Sequence, residues 1–198
     1  MEWISGKLIH FILKNKVIKD DPDHIAFYKY GIEITISSFI SFFFVMALGI
    51  ITSCFIDSIV FLITMLFVRS FTGGYHASTY ARCNISMCLS FISIIIFKTY
   101  IANSISAIVY VILIPFIVLI VSFFCPVENR FKPISQEKRP KLKIASILVS
   151  SLMCALSMCL IALSIKLGET IMFTMVIVSL LVIVGFIKER RIENECNS

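Results

Sequence analysis

Apolar residues run along this chain in long unbroken blocks, not in the i, i+3, i+4 stripes of a water-facing helix. The clearest block, Ile34 to Ile56, holds no charge between Glu33 and Asp57. Further blocks cover 58–68, 84–97, 102–124, 144–165 and 170–187. About 20 apolar residues cross a bilayer core as a helix. The longer blocks therefore predict spans, while 58–68 and 84–97 must borrow flanking residues, tilt or re-enter. The fold expected is all-α, a single domain over 1–198 with about six membrane-embedded helices. Residues 1–20 differ. Two apolar stripes (Ile4, Leu8, Phe11, Ile12 and Ile9, Leu13, Val17) are interleaved with lysines. This predicts an interfacial helix whose lysines reach the headgroups, or one packed beneath the bundle. Asp21-Pro22-Asp23 then punctuates, with Asp21 placed to cap the next helix and Pro22 at its first position.

Composition supports the membrane reading. Hydrophobic residues make up 59% of the chain and charged residues 15%, against about a quarter charged in soluble domains; the mean hydropathy is +0.97. The first 20 residues lack the apolar core and small-residue cleavage site of a secretory signal. The net charge of +6 does not point to nucleic acid, because the basic residues lie between and beyond the apolar blocks. Loop 126–143 holds Arg130, Lys132, Lys138, Arg139, Lys141 and Lys143, and the tail opens with Lys188-Glu-Arg-Arg. The positive-inside rule places both in the cytoplasm. Counting spans backwards puts 69–83 and the N-terminus on the same side, and four spans would give the same sides as six.

Residues 69–83, Arg-Ser-Phe-Thr-Gly-Gly-Tyr-His-Ala-Ser-Thr-Tyr-Ala-Arg-Cys, interrupt the apolar pattern. Ionisable groups close to hydrocarbon are costly and mark functional sites. A cysteine nucleophile needs its thiolate, and a nearby imidazole lowers the thiol pKa and accepts the proton. His76 and Cys83 supply that pair. On a continuous helix they would share a face but stand roughly 10 Å apart along the axis. A bend at Gly73-Gly74 is therefore expected, folding His76 back toward Cys83. The two glycines also leave backbone N–H groups free for an oxyanion, although a hinge explains them equally well. Read from spacing alone, a structural histidine and an incidental thiol remain the competing account. The other cysteines (Cys54, Cys88, Cys125, Cys154, Cys159, Cys196) form no Cys-x-x-Cys pair, and two candidate ligands fall short of a zinc site. No metal or cofactor is expected.

The run Arg69…Gly73-Gly74-Tyr75-His76…Cys83 closely resembles the signature of the accessory gene regulator B (AgrB) family, an Arg, then Gly-Gly-x-His, then Cys seven residues after the His. The length, basic N-terminal helix and basic mid-chain loop are similar too. That family consists of bacterial membrane cysteine endopeptidases that mature a quorum-sensing propeptide. The resemblance implies Cys83 as nucleophile and His76 as general base. It also implies a propeptide substrate of the AgrD type and a multi-pass place in the bacterial cell membrane, with the catalytic segment cytoplasmic. Attack by Cys83 would release an acidic tail and leave a thioester, which a thiol or hydroxyl of the peptide would then capture as a (thio)lactone ring.

Supporting roles are less sharply defined by the residues. Arg69 either orients a substrate carboxylate or anchors a helix end at the headgroups. Arg130 and Lys132 of the basic loop either hold the acidic tail of the peptide by charge pairing or simply set topology. Asp57 is the nearest acid to the segment, but the span count puts it at the opposite face. An exporter or channel without chemistry of its own also explains the spans, but leaves 69–83 unexplained. A receptor half would lack any output domain. The partners expected are the propeptide and the bilayer, with no nucleic acid; a homodimer is compatible with a bundle this small.

Overall fold

The computed structural model describes Gly6 and residues 22–72, 80–100, 107–127 and 139–197. The expected interfacial helix and the cap at Asp21 fall outside these residues. Six helices follow: α1 (Pro22–Ile51), α2 (Phe55–Thr72), α3 (Tyr80–Tyr100), α4 (Ala107–Phe124), α5 (Arg139–Ala162) and α6 (Leu167–Asn197). Pro22 opens α1 as expected, at a position where its missing N–H costs nothing.

Among the described residues, five stretches are long and apolar enough to cross a membrane: Gly31–Ile51, Phe55–Thr72, Ala81–Tyr100, Arg139–Ala162 and Leu167–Lys188. The short second and third blocks are thus full helices. α2 takes in Asp57 and runs through Arg69 to Thr72, and α3 starts at Tyr80 and carries Lys98. The short apolar helix is instead the fourth, Ile108–Phe124, whose 17 residues reach about 26 Å. Pro115 inside it removes one backbone hydrogen bond, which membrane helices tolerate where neighbours re-satisfy the freed group. Two expected boundaries also shift. The first span ends at Ile51, not 56, and the basic loop is shorter because Arg139, Lys141 and Lys143 belong to α5.

Both of the short turns between adjacent helices are built alike. Ser53 and Ser164 have positive φ, each 58°. Around them Ser53 N–H donates to Ile50 O (3.1 Å) and Cys54 N–H to Gly49 O (2.8 Å), while Ser164 N–H donates to Ile161 O and Ile165 N–H to Leu160 O (both 2.9 Å). This is the Schellman ending, which satisfies the orphan carbonyls of a helix C-terminus and turns the chain back. A close helix approach supports each turn. Gly49 faces Ser58, and Gly168 lies against the Ser157 carbonyl and Ile161, with Ser157 Oγ donating to Gly168 O at 2.7 Å.

Hydroxyl side chains share the interior with an apolar core, while large aromatics face outward. Phe39, Phe43 and Phe123 are exposed, whereas Ser37, Ser41, Ser58, Ser146, Ser150, Ser157, Thr170 and Thr174 are buried. Lipid is as apolar as leucine, so close contact and interhelical hydrogen bonds hold membrane helices together, and small or hydroxyl residues turn inward. α6 is the hub and packs on α2, α3, α4 and α5; α1 packs on α2 and α3. Ring pairs join the helices across this core, Phe61 with Phe91 at 5.5 Å and Phe97 with Phe173 at 5.3 Å between centroids.

One charged cluster sits at the end carrying the two turns. Lys98 near the end of α3 forms an ion pair with Asp57 in the first turn of α2. Thr170 at the start of α6 donates to the same carboxylate (2.5 Å) and accepts from Lys98 at 3.2 Å. Three helices are thereby tied together beside a cavity of about 280 Å³ lined by Cys54, Asp57, Lys98, Lys166 and Glu169. Asp57 therefore lies at the end of the bundle away from Cys83. Lys98 and Cys83 lie 15 residues apart on one helix, about 22 Å.

Candidate functional site

The opposite end of the bundle is where α2 finishes and α3 begins. A helix C-terminus leaves its last carbonyls without intrahelical partners, and here two of them are held by other parts of the chain. Ser146 of α5, fully buried, donates to Phe71 O at 2.8 Å, and Val127 N–H, just beyond α4, donates to Thr72 O at 3.2 Å. Thr72 is itself fully buried, with its hydroxyl bonded to Val68 O at 3.2 Å. The chain therefore enters 73–79 from a fixed point. The same bond holds the first residues of the basic loop, to which Val127 belongs.

Arg69 is half-buried in the last turn of α2, so it belongs to a helix and not to the interrupting segment. Gly73, Gly74, His76, Arg130 and Lys132 lie outside the described residues, as does the expected bend that would bring His76 to Cys83. Cys83 is a free, half-buried thiol in the first described turn of α3.

The residue after it is held by a feature that sequence reasoning missed. Asn84 Oδ1 accepts hydrogen bonds from Ser37 Oγ at 2.9 Å and Ser41 Oγ at 2.7 Å. The two serines stand one turn apart on α1 and are 4% exposed. Glu33, one turn earlier on the same ridge, is 8% exposed, so a polar seam runs along α1 to the end where α3 begins. The available signal was the i, i+4, i+8 spacing of Glu33, Ser37 and Ser41.

A second cysteine lies at this end. Cys125 follows α4, is 5% exposed, and burial pushes its thiol up to about 12, with Lys143 pulling weakly the other way. At neutral pH it stays protonated, and a thiol is a poor nucleophile compared with a thiolate.

Outward-facing aromatics, buried hydroxyls and long apolar helices define a polytopic helical membrane protein. The sequence model of accessory gene regulator B matches residues 5–186, and the chain belongs to that family. It is 28% identical over 126 residues to an AgrB-like protein of Clostridium perfringens (strain SM101), covering 61% of this chain and 59% of that one. It is 22% identical to protein FsrB of Enterococcus faecalis over 179 residues, 89% of this chain and 73% of FsrB. An AgrB-like protein of Listeria innocua is 25% identical over 71% of this chain and 68% of its own length. No solved structure matches.

Proposed function

We propose that the chain is a membrane cysteine endopeptidase that removes the C-terminal tail of a quorum-sensing propeptide and promotes its cyclisation. The observation that carries the reading is the setting of Cys83. It is a half-buried free thiol at the start of α3, at the end of the bundle where α2 is anchored, and it closes the family motif in register. In the reaction, His76 takes the thiol proton and the Cys83 sulfur adds to a peptide carbonyl. Collapse of the tetrahedral intermediate breaks the C–N bond. The leaving amine takes the proton from His76, and the thioester remains on Cys83. A thiol or hydroxyl within the bound peptide then attacks that carbonyl, giving its proton to His76. Cys83 leaves and is reprotonated, and the ring closes as a thiolactone or lactone. Exchange of one thioester for another is close to neutral, so the site has only to exclude water while the acyl-enzyme exists.

The charge bias of the loops supports a cytoplasmic working face. Lys141 and Lys143 begin α5 at the end of the bundle where α3 and Cys83 begin, and a cytoplasmic face is where newly made propeptide would arrive. Arg130 and Lys132 are assigned to the acidic tail of the peptide and Arg69 to its carboxylate. Gly73 and Gly74 are assigned to the support of His76.

The test is co-production of the chain with its propeptide, reading the released tail and the ring by mass spectrometry. Cys83→Ala and His76→Ala should abolish both products while the protein still accumulates in the membrane. Tail release by the Cys83→Ala protein would remove the assignment.

A further inference from the structure

We infer that Asn84 is a positioning residue for Cys83, its carboxamide clamped by Ser37 and Ser41 so that α3 holds the thiol in one direction. The inference rests on the reading of Cys83 as nucleophile. It goes beyond the Cys/His pair in naming what sets the direction of the sulfur.

The geometry is that of a two-point fixing. One hydrogen bond to a side-chain oxygen leaves a helix free to swing about it. Here two hydroxyls converge on Asn84 Oδ1, at 2.9 Å and 2.7 Å, from positions about 6 Å apart along α1. Together they set both the height and the rotation of α3 against α1. Cys83 precedes Asn84 by one residue and therefore points about 100° away around the helix. Turning Asn84 toward α1 determines where Cys83 faces. The leverage is large. A rotation of roughly 20° moves a group about 5 Å from the helix axis by about 1.7 Å, and a 1 Å error at a reacting atom costs about a hundredfold in rate.

Other contacts hold α3 further along its length. At the far end of α3, the Lys98 ion pair with Asp57 and the bond to Thr170 fix the helix. In the middle, Phe91 stacks on Phe61. Near its start, the bonds from Ser37 and Ser41 to Asn84 tie α3 to α1. Interhelical hydrogen bonds in membranes also serve simply to hold helices together, so the test must separate direction from cohesion.

The full chain in membrane vesicles is treated with N-ethylmaleimide across pH 5–9, and modification of Cys83 is read by mass spectrometry after digestion. His76→Ala sets the reference, with alkylation at pH 7 slowed by about a hundredfold, the scale of a lost general base. Asn84→Ala and the double variant Ser37→Ala/Ser41→Ala should slow it by about tenfold, with the pH profile moved toward that of His76→Ala. Ser41→Thr keeps the hydroxyl and should react like the parent. If Asn84→Ala does not accumulate, the serine variant decides, because it removes the clamp and leaves Asn84 in place. Parent-like rate and pH profile in the serine variant would overturn the inference, as would a loss of accumulation with unchanged reactivity. If His76→Ala itself leaves the profile unchanged, the Cys/His reading falls first and the inference with it.

Discussion

Gly168 offers the sharpest test of the packing. A Cβ at this position would stand 2.7 Å from the Ser157 carbonyl oxygen, 2.8 Å from the Ile161 nitrogen and 2.9 Å from Ile161 Cγ1. Ordinary contact begins at 3.4 Å, and two of the three atoms are backbone of α5. They cannot rotate aside, so α5 itself would have to retreat. Retreat stretches the 2.7 Å bond from Ser157 Oγ to Gly168 O. Overpacking of this kind costs about 1–3 kcal/mol, and a weakened interhelical hydrogen bond in a membrane adds about 0.6 kcal/mol. Removing a glycine from a helix returns about 0.5–1 kcal/mol. Gly168→Ala should therefore destabilise the bundle by about 1–3 kcal/mol. Gly31 is the control. It lies inside α1 with nothing within 4 Å of a built Cβ, so Gly31→Ala should be stabilising by about 0.5–1 kcal/mol. The assay is thermal unfolding of the detergent-purified protein, followed by size-exclusion chromatography of what survives heating. For a chain of this length about 1 kcal/mol moves the midpoint by about 2–4 °C, so the two variants should melt on opposite sides of the parent. A Gly168→Ala protein that melts at or above the parent would refute the close approach of α5 and α6.

The charged cluster and the two turns give further expectations. Lys98→Met removes the cation paired with the largely buried Asp57 carboxylate and should cost about 3 kcal/mol, most of which Lys98→Met/Asp57→Asn should recover, since an orphaned charge is worse than no pair; equal melting of the two proteins would deny the pair any role. Ser53→Gly and Ser164→Gly each relieve a left-handed residue and should be stabilising by about 1 kcal/mol, measured in the same melting assay, with lowered midpoints contradicting the assigned turns.

Much of the fold was legible because the membrane imposes a simple code. Apolar blocks mark helices, and basic loops mark one side. The code failed where charge was taken to mean a boundary. Asp57 and Lys98 appeared to shorten the second and third blocks, yet each charge meets the other inside the bundle, so both helices run on past them. A block bounded by charges predicts a span only until a partner of opposite sign exists on another helix, and sequence spacing does not reveal that partner. The opposite error occurred at Ile51. The block continued to Ile56 by hydropathy, but the chain turns back through Ser53 at a φ of 58°. No glycine or proline marks the turn, so turn chemistry was invisible there.

The candidate site divides along the same line. Cys83, His76 and the glycines are close neighbours in sequence, and a motif can record them. The support for Cys83 is not local. Ser37 and Ser41 lie 43 residues or more before Asn84, inside a block that a charge count treats as featureless. Within lipid, however, a hydroxyl is not neutral filler. Ser37 and Ser41 face inward at the same spacing as Glu33, while Phe39 and Phe43 between and beyond them face outward. Reading polarity instead of charge along α1 would have shown an inward polar ridge and asked for its partner. The register of α1 against α3 was needed to identify that partner as the residue beside the thiol.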